Sequence, residues 1–72
     1  MTFEPHPLLP NAYVAFAGKY SFVIMNDDGW RTSWQDQEKG GSASNTIEGP
    51  FENRHQAESN CRRIFKSLAR KN

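Results

Sequence analysis

Cysteine is nearly missing from this 72-residue sequence: Cys61 stands alone. A single thiol rules out an intrachain disulfide, and small secreted domains usually carry several bridges to offset a thin core, so a reducing, intracellular setting is expected. Histidine is almost as scarce, with His6 in a proline-rich opening and His55 far along the chain. One Cys and two separated His cannot assemble a zinc site of ordinary ligand type and spacing. Long apolar runs are also lacking. None approaches the roughly 20 residues of a membrane span, and Met1 to Pro5 supply neither the basic n-region nor the apolar h-region of a signal peptide, so no membrane contact and a cytoplasmic location are expected.

The residues that carry chemistry are as thinly spread as the cysteines. His55 and Cys61, the one conceivable Cys/His pair, lie six apart on different sides of any helix that holds them, and Cys61 reads as a small buried hydrophobe. Asp27 and Asp28 stand beside Gly29 without the alternating acids that calcium coordination needs, and they read as turn formers. Lys39, Gly40, Gly41 and Ser42 have the residue types of a phosphate loop without its spacing. No catalytic set, no metal site and no cofactor is expected, and the chain reads as a non-enzyme.

What is present suits one small domain. With 36% hydrophobic and 12% aromatic residues, a few large side chains must supply most of the buried apolar area. Pro5, Pro7 and Pro10 predict an extended arm over residues 1–12, onto which Leu8 and Leu9 could tuck. Residues 13–72 form the domain. Tyr13 to Met25 reads as two short strands with a bend at Gly18, Asn26 to Gly29 as a hairpin turn, and Trp30 to Trp34 as the next strand. Residues 35–45 are too polar and glycine-rich to order themselves and are expected to be a mobile loop. Thr46 to Glu48 can add a short last strand, broken by Gly49 and Pro50. A helix from about Arg54 to about Arg70 follows, with Asn53 as N-cap and Gln56 three residues on. Its apolar stripe is Ala57, Cys61, Ile64, Phe65 and Leu68. The expected fold is α+β: a three- to four-stranded antiparallel β-meander packed against one C-terminal amphipathic α-helix.

Charge is polarised within a formal total of +1. Residues 1–58 hold four basic and eight acidic side chains, whereas residues 59–72 hold five basic and no acidic ones, so opposite ends suit opposite partners. Two candidate partner-binding surfaces emerge. On the helix, Arg62, Lys66 and Arg70 recur every fourth residue with Arg63 alongside, a row able to neutralise phosphates or simply to be solvated. On the hairpin, Trp30, Arg31 and Trp34 are of the types enriched in binding hot spots, although so small a domain needs tryptophan for its core. A single helix covers one face of a sheet. Tyr20, Phe22 and Ile24 compete with Val23 and Met25 for the covered side, and the losing row becomes an apolar patch.

From Pro10 to Leu68, and most closely at Gly49, Pro50, Phe51, Glu52 and Asn53 running into the helix, the pattern resembles the AP2-type DNA-binding module and the arm-binding domain of phage integrases. That resemblance implies DNA contact through the sheet, a role open here to Lys19, Arg31 and the tryptophans. The sequence departs from it in the residue 35–45 insertion and in placing its cations on the helix. In size and economy the chain is similar to the small proteins of phages and mobile elements that block host machinery, anti-CRISPR proteins among them. The expectation is a small adaptor or inhibitor that docks on a protein or nucleoprotein complex. A nucleic-acid-binding module is the alternative, and an uncovered face or edge leaves a homodimer open.

Overall fold

The computed structural model describes residues 1–39, 42–43 and 47–70. Its element order is β1 (Glu4–Pro5), β2 (Ala12–Ala17), β3 (Tyr20–Asn26), β4 (Trp30–Asp36), a 3-10 turn (Gln37–Lys39), β5 (Ser42–Ala43), β6 (Glu48–Phe51) and α1 (Arg54–Arg70). All strand pairs are antiparallel, in the order β1-β2-β3-β4, with β5 and β6 both paired to β4. The α+β class and the closing helix are as expected. The strands are more numerous than the three or four expected, because two-residue pieces at β1 and β5 extend the meander.

Turn chemistry sets the register of the long strands. Gly18, at φ 59°, turns β2 into β3, and Asp28 at φ 55° followed by Gly29 at φ 108° turns β3 into β4, conformations that Gly and Asp reach at least cost. Pairing then aligns Tyr20, Phe22 and Ile24 with Asp36, Trp34 and Thr32. Directly opposed residues share a face. The row Tyr20, Phe22 and Ile24 is the covered one, at 6%, 0% and 0% exposure, and Val23 and Met25 face away from the helix.

The helix begins where its cap predicts. Asn53 Oδ1 accepts from Gln56 N at 2.9 Å, and Gln56 Oε1 accepts from Glu52 N at 3.2 Å, so one donor that the first turn leaves bare and the N–H just ahead of the cap both have partners. Ala57 and Cys61 are fully buried, and Ile64, Phe65 and Leu68 pack half-buried against the same core. The phenyl ring of Phe65 meets Tyr20 and Phe22 edge-on at 6.4 and 6.2 Å, the geometry that aromatic quadrupoles favour.

Three local expectations are corrected. First, Leu8 and Leu9 do not tuck in, being 84% and 43% exposed. Glu4–Pro5 pairs with Val14 and Tyr13 instead, which brings Met1 and Phe3 against the core. Second, the segment assigned to a loop over residues 35–45 starts as strand: Gln35 and Asp36 continue β4, Gln37–Lys39 form a 3-10 turn, and Ser42–Ala43 pair with β4. Local contacts offset its polar composition here, since Gln37 N donates to Lys19 O at 2.8 Å and Gln37 Nε2 to Ser21 Oγ at 2.8 Å. Residues 40, 41, 44 and 45 of that segment lie outside the described residues, as does Thr46. Third, Gly49 and Pro50 do not end the last strand but lie inside it. Phe51 pairs with Trp30 and Glu48 with Thr32, so two residues oppose Arg31, as in a β-bulge. Gly49, at φ 128°, has room for no Cβ, which would stand 2.7 Å from Trp30 O. Proline is tolerated because β6 is an outer strand.

A buried polar link fixes how the helix sits. Asn60, 7% exposed, donates from Nδ2 to Thr32 Oγ1 on β4 and to Glu48 Oε1 on β6, each at 3.0 Å. Its Oδ1 accepts from Arg63 Nη2. Asn60→Ala leaves buried Thr32 and half-buried Glu48 without this partner, so unfolding free energy should fall by about 2 kcal/mol, read as a lower urea midpoint at unchanged m-value. Thr32→Ser keeps the hydroxyl and should cost clearly less.

Candidate functional site

The two tryptophans flank the helix footprint rather than standing on the open face. Trp30 packs half-buried against Tyr13, ring centroids 6.2 Å apart, and Trp34 meets Tyr20 edge-on at 5.8 Å. Arg54 closes the first flank, its guanidinium 4.4 Å from the centre of the Tyr13 ring. Both tryptophans therefore belong to the apolar core that α1 covers. Arg31, grouped with them in the sequence, points to the other side of β4, where its Nε donates to Asp27 O at 3.0 Å. The strand's period of two separates this trio.

The open face carries the losing row. Val14, Val23 and Met25 are half-buried there, and Phe16 and Ile47 are each 67% exposed. Val23, Met25, Arg31, Ser33 and Ile47 line a shallow depression of about 150 Å³. The 3-10 turn folds over one end of this face through its Gln37 bond to Ser21. Ile47 was missed because the sequence reading put it in a strand without asking which face it joins. The alternation of Tyr20, Phe22 and Ile24 with Val23 and Met25 marks only the β3 part of this face; Val14 and Phe16 join it through their pairing opposite Val23 and Ser21.

The outer side of α1 carries the cations. Arg62, Arg63, Lys66 and Arg70 are all exposed. Glu58, the sole acid of the helix, is committed twice, to Arg54 at 3.0 Å and to Arg62 at 3.4 Å. Among the described residues no carboxylate pairs with Arg63, Lys66 or Arg70. A depression of about 660 Å³ runs along this side, lined by Met1, Ser59, Arg62, Arg63, Phe65 and Lys66. Arg63 and Ser59 also line a neighbouring one of about 430 Å³ with His55. Lys19, by contrast, is engaged with Asp36 and Glu38 at 3.8 and 3.9 Å. Of the residues through which the AP2-type and integrase likeness would touch DNA, only Arg31 stands on the open face.

Comparison with protein-family models, with curated proteins and with solved structures found no match. Function must therefore be read from these two surfaces. No helix among the described residues is long and apolar enough to cross a membrane, and among them no group of three or more His, Cys, Asp or Glu is placed to hold a metal ion.

Cys61 lies at 0% exposure under the helix. Burial pushes its thiol from 9.0 up to about 12, with the carboxylates of Glu48 and Glu58 adding to the rise and Arg62 opposing it. A protonated, enclosed thiol is a poor nucleophile. Because the folded value lies above the unfolded one, the thiol's contribution to stability is complete below pH 9 and is lost as pH rises toward 12. The stability gap between wild type and Cys61→Ala, measured by urea midpoint, should narrow across that interval. A thiol reagent at pH 8 should label the protein only after unfolding.

Proposed function

We propose that this chain is a non-catalytic binding protein, an adaptor or inhibitor, that docks a protein partner on the open face of its sheet. One observation carries this. Phe16 and Ile47, each 67% exposed, stand with half-buried Val14, Val23 and Met25 on a sheet face that no helix among the described residues covers. Apolar side chains gathered on one open face favour a recognition role for it. Arg31 and Ser33, in the depression beside it, supply donors that can fix a partner's orientation, in keeping with an apolar centre and a polar surround. The enclosed thiol of Cys61 favours a role without covalent chemistry.

The test is capture from the native host under nuclease treatment, with three baits: wild type, the open-face double variant Phe16→Asp/Val23→Lys, and the helix variant Lys66→Gln/Arg70→Gln. A protein held by wild type and by the helix variant, and lost at least tenfold with the open-face variant, is the expected result. Circular dichroism must show both variants folded. Loss on nuclease treatment, or loss with the helix variant alone, would sink the reading. Sedimentation of purified wild type decides the remaining case, since a stable dimer dissociated by the open-face substitutions would mean that a second copy is the occupant.

A further inference from the structure

We infer that the outer side of α1 binds the phosphodiester backbone of single-stranded nucleic acid, with Arg62, Lys66 and Arg70 as its spine and Arg63 beside them. This surface is separate from the open sheet face, and the inference does not depend on that face having a partner.

Three observations carry it. The first is uncompensated charge: Glu58 is held between Arg54 and Arg62, and Arg63, Lys66 and Arg70 have no carboxylate partner among the described residues. Exposed like charges one helical turn apart repel one another, so a surface that keeps them gains from a polyanion. The second is regularity. At 1.5 Å rise per residue, the three spine cations are spaced about 6 Å apart along roughly 12 Å of axis, and no acid interrupts them from residue 59 onward. A nucleic-acid backbone offers evenly repeated negative charge whatever its sequence, whereas a peptide does so only in rare acidic runs.

The third observation is the donor and acceptor balance of the depression. Arg62, Arg63 and Lys66 on its rim only donate hydrogen bonds, and among its lining side chains the Ser59 hydroxyl alone can accept. Phosphodiester oxygens only accept. An acidic peptide would bring one N–H per residue into a site that offers almost nothing to receive it. The same depression has Met1 and Phe65 as its apolar part, and Arg62 also lies 6.0 Å from the centre of the nearby Phe3 ring. A base can rest on this floor while the phosphates follow the rim, the arrangement of stacking surface plus cationic track that single-strand binding uses. A duplex keeps its bases stacked inside and reaches only the rim.

Fluorescence anisotropy of a labelled mixed-sequence single strand of about 16 nucleotides tests this. The expected result is binding in the range of about 1–100 µM at physiological salt, weakening as salt is raised. Lys66→Gln and Arg70→Gln, both exposed and in no ion pair among the described residues, should each lower the slope of log affinity against log salt by about 0.7. Phe65→Leu keeps an apolar floor without the ring and should weaken the single strand more than a matched duplex. The open-face variant Phe16→Asp should bind as wild type does. No anisotropy change at about 100 µM protein in about 50 mM salt, unchanged slopes in both helix variants, or tighter binding to polyglutamate than to the oligonucleotide would each overturn the assignment. Polyglutamate preference would make an acidic protein the ligand of this surface.

Discussion

The structure depends on one contact, the seat of a single helix on a single sheet. An α-helix is about 10 Å wide and strands lie about 4.8 Å apart, so one helix can roof roughly two or three strands. Here it roofs β3, β4 and β6. Phe22, Ile24, Ala57 and Cys61 fill the centre of that seat at 0% exposure, and small Ala57 and Cys61 let the helix come close. Large rings then close the two margins, Tyr13 and Trp30 on one side and Tyr20 and Trp34 on the other.

An apolar seat fixes which face of the helix is down but tolerates small rotations and shifts. The apolar stripe of Ala57, Cys61, Ile64, Phe65 and Leu68 sets the rotation coarsely, and the Asn60 amide refines it through its bonds to Thr32 and Glu48. A buried amide left without partners costs about 1–3 kcal/mol, so every rotated or shifted alternative carries that penalty. The rotation set at Asn60 also aims the rest of the helix. Residues two, three and six positions on, Arg62, Arg63 and Lys66, are turned outward as a consequence, and Arg63 returns a bond to Asn60 itself.

Much of this was legible in the sequence where local and global signals agree. The helix from Arg54 to Arg70 was, because cap, stripe and terminal cations coincide. So was the hairpin at Asp27 to Gly29, where turn residues separate two alternating runs. Composition misled where a few specific bonds decide the outcome: polar Gln35 to Lys39 were assigned to a loop, yet Gln37 is tied to Lys19 and Ser21. Gly49 and Pro50 were read as breakers because propensity does not know that a strand is outermost. At the candidate surfaces, residue type alone grouped Trp30, Arg31 and Trp34, whereas the strand's period of two sends Arg31 to the face opposite the tryptophans. Which row of β3 would be covered depended on pairing with β2 and β4, which no single segment contains.

The sheet's margins bear on how partners can bind. Strand addition needs a run of free N–H and C=O groups along an edge. Strand β1 is two residues long and includes Pro5, while β6 is four residues long and includes Pro50 within a bulge, so each lacks a donor and offers little length. Edge pairing is blunted at both, and β5, the remaining outer strand, is only two residues long, so the faces offer more to a partner than the edges do. Those faces are back to back, the apolar one on the sheet and the cationic one on the far side of α1. A partner on one leaves the other accessible, and the charge split at residue 58 keeps them chemically unlike. Both surfaces follow from one arrangement: the single helix among the described residues roofs one side of the sheet, so its own far side and the sheet's other side are what remain outermost.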